Sequence, residues 1–153
     1  MKKINITWRQ FIKDVDALAT NLHNVNVREQ LDITDIIGVS RGGLIPAQLI
    51  AHKLDIKRVY SFGVTNYRGE VKQTRPIVYQ NIPTTLEGKT VLVIDEVCDT
   101  GDTFRLIDAE LKNRGVDCAY YAAVYRKCED SLGLLNFYTK TYNKTSWLNF
   151  PYD

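Results

Sequence analysis

The sequence predicts an α/β domain built on a parallel sheet, and three observations carry that reading. Short apolar runs suited to buried strands recur at Ile36–Val39, Thr90–Ile94 and Cys118–Tyr125. Segments with apolar residues at helical spacing alternate with them. The chain has 153 residues, one ordinary domain, long enough to bury a core without disulfide or metal staples. Strands alternating with helices give a parallel sheet with helices on its faces. Residues 1–153 therefore read as a single domain without repeats or low-complexity tracts.

Each element has its own local reason. Thr7-Trp8-Arg9-Gln10 has the form of a capping box, in which each end's side chain satisfies a backbone N–H of the first helical turn. Trp8, Phe11, Ile12, Val15, Leu18, Ala19 and Leu22 then recur at helical spacing. The strand Ile36-Ile37-Gly38-Val39 is broken by Ser40-Arg41-Gly42-Gly43, and Leu44–Leu54 returns to a helical pattern with Pro46 in its tolerant first turn. Val59–Val64 is a strand. Asn66–Gln80 is polar, carries Gly69 and Pro76 and lacks a sustained period, so it reads as a long mobile connection with strand-like arms. Connections of that length inside a compact domain are lids or disordered segments, and a lid is the better reading here. Glu87-Gly88-Lys89 is a turn before the strand Thr90–Ile94. Thr103–Arg114 is a helix with Phe104, Ile107 and Leu111 on one face, Glu110 and Arg114 paired at i,i+4, and Gly115 as its stop. Cys118–Tyr125 is another strand, and Phe137–Asp153 is aromatic and turn-rich with weak local signals.

Composition excludes several classes. Twenty Lys+Arg against 18 Asp+Glu give a net charge of +2, with no basic tract denser than the sparse Lys53–Arg58, so no nucleic-acid partner is expected. Cys98, Cys118 and Cys128 show no CxxC spacing, and His23 and His52 are the only histidines, which argues against a zinc site or a disulfide framework. Free thiols point to a reducing, cytoplasmic compartment. No run of 18 apolar residues and no apolar h-region follow Met1, so neither a membrane span nor a signal peptide is expected.

Two constellations carry chemistry, both at strand ends, where ligands of parallel sheets sit. In Val91–Thr103 a buried strand ends in the acids Asp95 and Glu96. A short loop with Asp99, Thr100 and Gly101 then opens a helix at Asp102 and Thr103. Unsatisfied N–H groups at a helix N-terminus make an anion site, and Gly101 lets the chain turn closely around it. Acids beside a phosphate loop would repel phosphate alone; they make sense if the ligand also presents sugar hydroxyls or a metal ion. Solvated loop acids and a simple helix cap are the plainer alternative for such a turn. In Ser40-Arg41-Gly42-Gly43, backbone amides and a planar guanidinium can share a diphosphate, although paired glycines are common in βα turns.

Four aliphatics, two acids, two spacers and D-T-G-x-T closely resemble the phosphoribosyl diphosphate (PRPP) motif of type I phosphoribosyltransferases, and S-R-G-G resembles that family's pyrophosphate loop. With Tyr125-Arg126-Lys127 and the ending Trp147–Asp153, the chain is similar to the small bacterial xanthine-guanine and hypoxanthine-guanine enzymes. The resemblance runs from Ile36 to Asp153. It implies a parallel-sheet type I fold flanked by helices, with a small hood formed largely by residues 126–153.

The resemblance also implies roles. Asp99, Thr100, Gly101, Asp102 and Thr103 would hold the 5′-phosphate, Ser40, Arg41, Gly42 and Gly43 the pyrophosphate, and Asp95 and Glu96 the ribose hydroxyls and Mg²⁺. Asp99 would assist proton transfer near N7 of the base, and Arg41 would stabilise the leaving group. Lys127 would donate to the 6-oxo group of a purine, Trp147 would stack on the base, and the Leu148 carbonyl would meet the 2-position. Trp147 could instead be a hood-core aromatic, and spacing alone leaves Arg126 competing with Lys127. Asp153 matches an aspartate near the metal and diphosphate. Asn66-Tyr67 stands where the family lid often has Ser-Tyr, which puts the serine's role in doubt. Cys98, inside the motif, suits packing better than catalysis, and His23 and His52 suit structural or exposed positions. The expected reaction is Mg²⁺-dependent phosphoribosyl transfer from PRPP to a 6-oxopurine by a homodimer or homotetramer. A PRPP-sensing regulator of the same fold, or an enzyme for another base, are the alternatives.

Overall fold

The computed structural model describes residues 1–68, 71–82, 86–127 and 133–153; of residues 67, 68, 72 and 73 it describes the backbone alone. The described elements run β1 (Lys3–Asn5), α1 (Trp8–Arg28), β2 (Asp35–Ser40), α2 (Leu44–Leu54), β3 (Arg58–Arg68), β4 (Val71–Gln80), β5 (Thr90–Cys98), α3 (Asp102–Asn113), β6 (Cys118–Arg126), β7 (Leu135–Thr141) and β8 (Trp147–Asn149). Six strands form one sheet in the order β4-β3-β2-β5-β6-β7, and β1 pairs with β8 in a separate ribbon. Every pairing in the large sheet is parallel except β3 with β4.

The central strands read as unbroken apolar runs because both of their faces are covered. Ile36, Leu92 and Ile94 pack with Phe11, Val15, Leu18, Leu22 and Ile50 of α1 and α2. Ile37, Val91 and Val93 pack on the other side with Phe104, Ile107 and Leu111 of α3. Thr7 caps α1 as expected, its Oγ accepting the Gln10 backbone N–H at 3.1 Å. The reciprocal half of the capping box is absent, because the Gln10 amide donates instead to Asp14 Oδ1 at 2.8 Å. Asp14 is buried and also accepts from the Tyr125 hydroxyl at 2.7 Å, so Gln10 belongs to a network tying α1 to β6. Trp8 and Ile12, on the apolar spacing of α1, are nevertheless about half exposed, at 49% and 45%.

Asn66–Gln80 is not an irregular connection. Its described residues belong mostly to an antiparallel hairpin of β3 and β4, with register shifts between Gly63 and Val64 and between Thr65 and Tyr67. Bulges break the two-residue alternation that announces a strand. Pro76 is tolerated because β4 is the sheet edge. Gly69, and Cys128 within the expected hood segment, lie outside the described residues. Of that segment, Leu135–Thr141 extends the main sheet, while Trp147–Asn149 joins the N-terminal strand in the ribbon.

The topology fixes where a ligand can go. From β2 the chain moves outward through β3 and β4; it then returns to place β5 against the other side of β2 and moves outward again through β6 and β7. The β2–β5 boundary is thus a switch point, where diverging connections leave a crevice at the carboxyl ends of the strands. Gly38 pairs with Ile94, so the loops after β2 and β5 emerge side by side. Those loops are Ser40–Gly43 and Asp99–Gly101.

Candidate active site

β5 continues to Cys98, with Asp95 opposite Ala123 and Val97 opposite Tyr125, so Asp95 and Glu96 lie within the strand rather than just past its end. Glu96 turns toward the loop after β2, where its carboxyl fills the space a Cβ on Gly42 would take, and both acids line one pocket. Beyond Cys98, Gly101 adopts φ +86°, a left-handed conformation that glycine takes without strain, and α3 starts at Asp102. The Thr100 hydroxyl donates to Asp102 Oδ2 at 2.9 Å, and Arg105 forms an ion pair with Asp102, so the acid that opens α3 is partly neutralised. A pocket of about 520 Å³ opens over Asp95–Phe104 and is closed on another side by Asn66, Thr74 and Pro76 of the hairpin. The segment expected as a lid therefore supplies one wall of the pocket.

The loop after β2 needs its glycines. A Cβ on Gly42 would stand 2.1 Å from Glu96 Cδ, and one on Gly43 only 2.4 Å from the Ile94 carbonyl oxygen. The Ser40–Arg41 peptide is cis, and Arg41 is exposed. Tyr79, on β4, donates its hydroxyl to Ser40 Oγ at 2.9 Å and leaves no room for a side chain at Gly63.

Lys127 reaches into the same place. Its backbone N–H donates to the Cys98 carbonyl at 2.9 Å, and its ammonium lies 3.4 Å from Asp99 Oδ2 with the side chain only 12% exposed. Arg126, the competitor for that role, is committed elsewhere. Its guanidinium sits 4.0 Å over the Tyr138 ring, and its Nε donates to Thr141 Oγ1 at 3.2 Å, both on β7. Trp147 is half exposed and engages no aromatic ring among the described residues, whereas Leu148 is buried. Trp147 N–H donates to the Lys2 carbonyl and Asn149 accepts from Ile6 N–H, so the alternation of a parallel ladder turns the Leu148 N–H and C=O away from β1. The structure thus joins the residues expected at phosphate, pyrophosphate and 6-oxo group through Glu96 on Gly42 and Lys127 on Asp99. Among the described residues, Trp147 is not one of those lining the pocket.

The phosphoribosyl transferase domain family matches residues 6–150. This chain belongs to that family. A xanthine-guanine phosphoribosyltransferase of Nitratidesulfovibrio vulgaris is 32% identical over 152 residues, 99% of this chain and 85% of the relative. One from Roseobacter denitrificans is 30% identical over 158 residues, covering 99% of this chain and 86% of its own length. Among solved structures, a purine phosphoribosyltransferase of Pyrococcus horikoshii superposes with a TM-score of 0.82 at 30% identity, covering 100% of this chain and 95% of that one. A Neisseria gonorrhoeae protein with bound ppGpp also reaches 0.82, at 26% identity over 99% of this chain and 89% of its own. The helix-flanked, mostly parallel sheet is the type I phosphoribosyltransferase fold.

The electrostatics of this phosphoribosyltransferase site are unbalanced. Burial pushes Asp95 up to about 8, the Glu96 charge adds to this, and the Glu96 N–H on Asp95 Oδ1 at 2.7 Å opposes it. Glu96 is also raised, by burial first and by the charge of Asp153, against the Tyr152 hydroxyl and Arg41. Two adjacent half-buried acids without a full countercharge are suited to a cation. No group of three or more His, Cys, Asp or Glu stands together among the described residues. Mg²⁺ commonly takes one or two carboxylates and completes its shell with water and substrate phosphate, so the pair fits an ion carried with a diphosphate.

Two contacts of the site have no local sequence signal. Tyr79 meets Ser40 across 39 residues, and the Tyr152 hydroxyl donates to Glu96 Oε2 across 56. Tyr152 stands inside the quoted C-terminal motif, but its type does not announce a partner so far away.

Proposed function

We propose that this chain transfers the 5-phosphoribosyl group of PRPP to N9 of a 6-oxopurine (guanine, xanthine or hypoxanthine), releasing pyrophosphate in a Mg²⁺-dependent reaction. The observation that carries the proposal is the Lys127 ammonium beside Asp99. It puts a pure hydrogen-bond donor at the mouth of the phosphate loop, where a 6-oxo acceptor belongs. The xanthine-guanine relatives support the same class of base.

The chain's residues divide the work. The first-turn amides of α3, with Thr100, Gly101 and Thr103, cradle the 5′-phosphate, while Asp95 and Glu96 face the ribose hydroxyls and would hold the ion. Mg²⁺, when bound, offsets negative charge on the diphosphate. Ser40–Gly43 holds that diphosphate through its amides, and Arg41 stabilises the charge that grows on it as the C1′–O bond breaks and the N9–C1′ bond forms. Lys127 exchanges Asp99 for the 6-oxo oxygen. Asp99, released, accepts a proton from the base near N7. Trp147 stacks on the ring, and the Leu148 carbonyl, directed away from β1, meets the 2-position. The hairpin wall at Asn66, Thr74 and Pro76 limits water, which would otherwise hydrolyse PRPP. The proposal extends to a single-domain enzyme, cytoplasmic, assembled as a homodimer or homotetramer. No helix among the described residues is long and apolar enough to cross a membrane.

A competition assay tests the base. With PRPP, Mg²⁺ and an equimolar mixture of guanine, xanthine, hypoxanthine, adenine and uracil, only 6-oxopurine nucleotides are expected; adenine or uracil nucleotide as the main product would overturn the assignment. The second reading is a regulator of this fold that binds without turnover, and the Neisseria structure with bound ppGpp supports it. Under that reading a guanine nucleotide bearing diphosphates binds here and no pyrophosphate is released.

A further inference from the structure

The turn Phe150–Asp153 is tied to the fold by ring contacts and hydrogen bonds. Tyr152 stacks on Phe150 with centroids 5.5 Å apart and rings 11° from parallel. It also meets Phe11 edge-on at 5.6 Å and Trp8 in a tilted contact at 5.8 Å, both from the first turn of α1. The turn is closed by Asp153, whose Oδ2 accepts the Phe150 N–H at 2.7 Å and whose N–H donates to the Phe150 carbonyl at 3.1 Å. These contacts pack the ring of Tyr152 against three neighbours, and its hydroxyl donates to Glu96 Oε2. The same carboxylate lies against Gly42 of the pyrophosphate loop, in space a Cβ there would occupy.

A glutamate turns about three side-chain bonds, and fixing a long, flexible side chain costs conformational entropy. If that order must form only when substrate binds, the cost falls on substrate affinity. A donor held in place beforehand removes it. Three aromatic rings and a closed terminal turn hold this donor in place.

We propose that Tyr152 is a positioning residue. Its hydroxyl presets the Glu96 carboxylate against the pyrophosphate loop, so the packing of the C-terminal turn on α1 sets the affinity for PRPP. The inference rests on the PRPP-binding reading above.

Tyr152→Phe tests it, because phenylalanine keeps the ring in the aromatic cluster and removes only the hydroxyl. The dissociation constant of PRPP with Mg²⁺ is measured by calorimetry for wild type, Tyr152→Phe, Glu96→Gln and the double variant, alongside the KM for guanine and the melting temperature. A hydrogen bond to a charged group predicts about a tenfold weaker PRPP affinity in Tyr152→Phe. The guanine KM should stay within about twofold and the melting temperature within a few degrees. In the Glu96→Gln background the same change should weaken PRPP by less than about twofold, since coupled residues are not additive. PRPP affinity unchanged by Tyr152→Phe, or an equal loss in both backgrounds, overturns the inference. A wild-type chain that binds no PRPP instead overturns the reading on which it rests.

Discussion

Two acids at opposite ends of the same sheet are treated in opposite ways. Asp35, the first residue of β2, is 1% exposed and fully partnered: Arg58 donates through Nε at 2.9 Å and Nη2 at 3.2 Å, and the Thr34 hydroxyl at 2.6 Å. Burial alone would push its carboxyl up, but the Arg58 and Thr34 hydrogen bonds outweigh that and hold it below the usual range. Asp95, near the end of the adjacent strand β5, has a like-charged neighbour and is pushed up to about 8, by burial first. The amino ends of the strands hold a compensated charge that keeps β2 and β3 in register. The carboxyl ends hold an acid pair without a full countercharge, which costs stability and which the proposed cation would offset.

Substitutions can break this comparison. The largest effect belongs to Asp99→Ala at the site end, which should lower kcat by about 100-fold or more with the melting temperature nearly unchanged. Pyrophosphate release and a thermal melt check the two halves. At the other end Asp35→Asn should do the reverse, costing about 1 kcal/mol because the buried side chain then turns an amide N–H toward the Arg58 and Thr34 donors, with turnover per folded molecule unchanged. Urea titration with an activity assay reads it, and a loss of turnover without loss of stability would contradict the division. Lys127→Ala comes next, raising the guanine KM about tenfold while direct PRPP affinity stays within about twofold. Equal losses in both would place Lys127 in the phosphate site instead.

The smallest effect sharpens the comparison through pH. Asp95 has a folded pKa raised above its unfolded value of about 4, so the folded chain binds more protons between about pH 4 and 8 and stability falls as pH rises through that window. Asp95→Asn should remove this fall and stabilise the ligand-free chain near pH 8 by about 1 kcal/mol, kept small by solvent around the half-buried pair. Asp35 acts with the opposite sign, contributing stability above about pH 4 that is lost as pH drops through its lowered folded pKa. The difference between wild type and Asp35→Asn should therefore shrink in acid, and that between wild type and Asp95→Asn should shrink below pH 4.

Much of this was legible in the sequence because residue type and spacing carry it. The run Val91–Ile94 with Asp95, Glu96, Asp99, Gly101 and Thr103 specifies a strand, an acid pair and an anion loop in consecutive residues. Other features depend on neighbours far along the chain. Bulges at Gly63 and Thr65 and an edge-strand Pro76 hide the β3–β4 hairpin from any alternation count. β7 is an edge strand of half-buried and exposed residues, and β1 and β8 are three residues each, joined across the whole chain length. Gln10 has the right type for a reciprocal cap, but the buried Asp14 takes its amide. Arg126 and Lys127 are equivalent by spacing; Tyr138 and Thr141 on the neighbouring strand separate them. Glu96 meets Tyr152, 56 residues after it, and lies against Gly42 in the loop after β2, so its orientation emerges only from the fold.

Turnover tests the central claim most directly. The chain incubated with PRPP, Mg²⁺ and guanine should release pyrophosphate and form guanosine 5′-monophosphate in equal amounts, and chelation of the metal should stop both. Saturable PRPP binding with no pyrophosphate released, with guanine, xanthine and hypoxanthine each supplied, would contradict it.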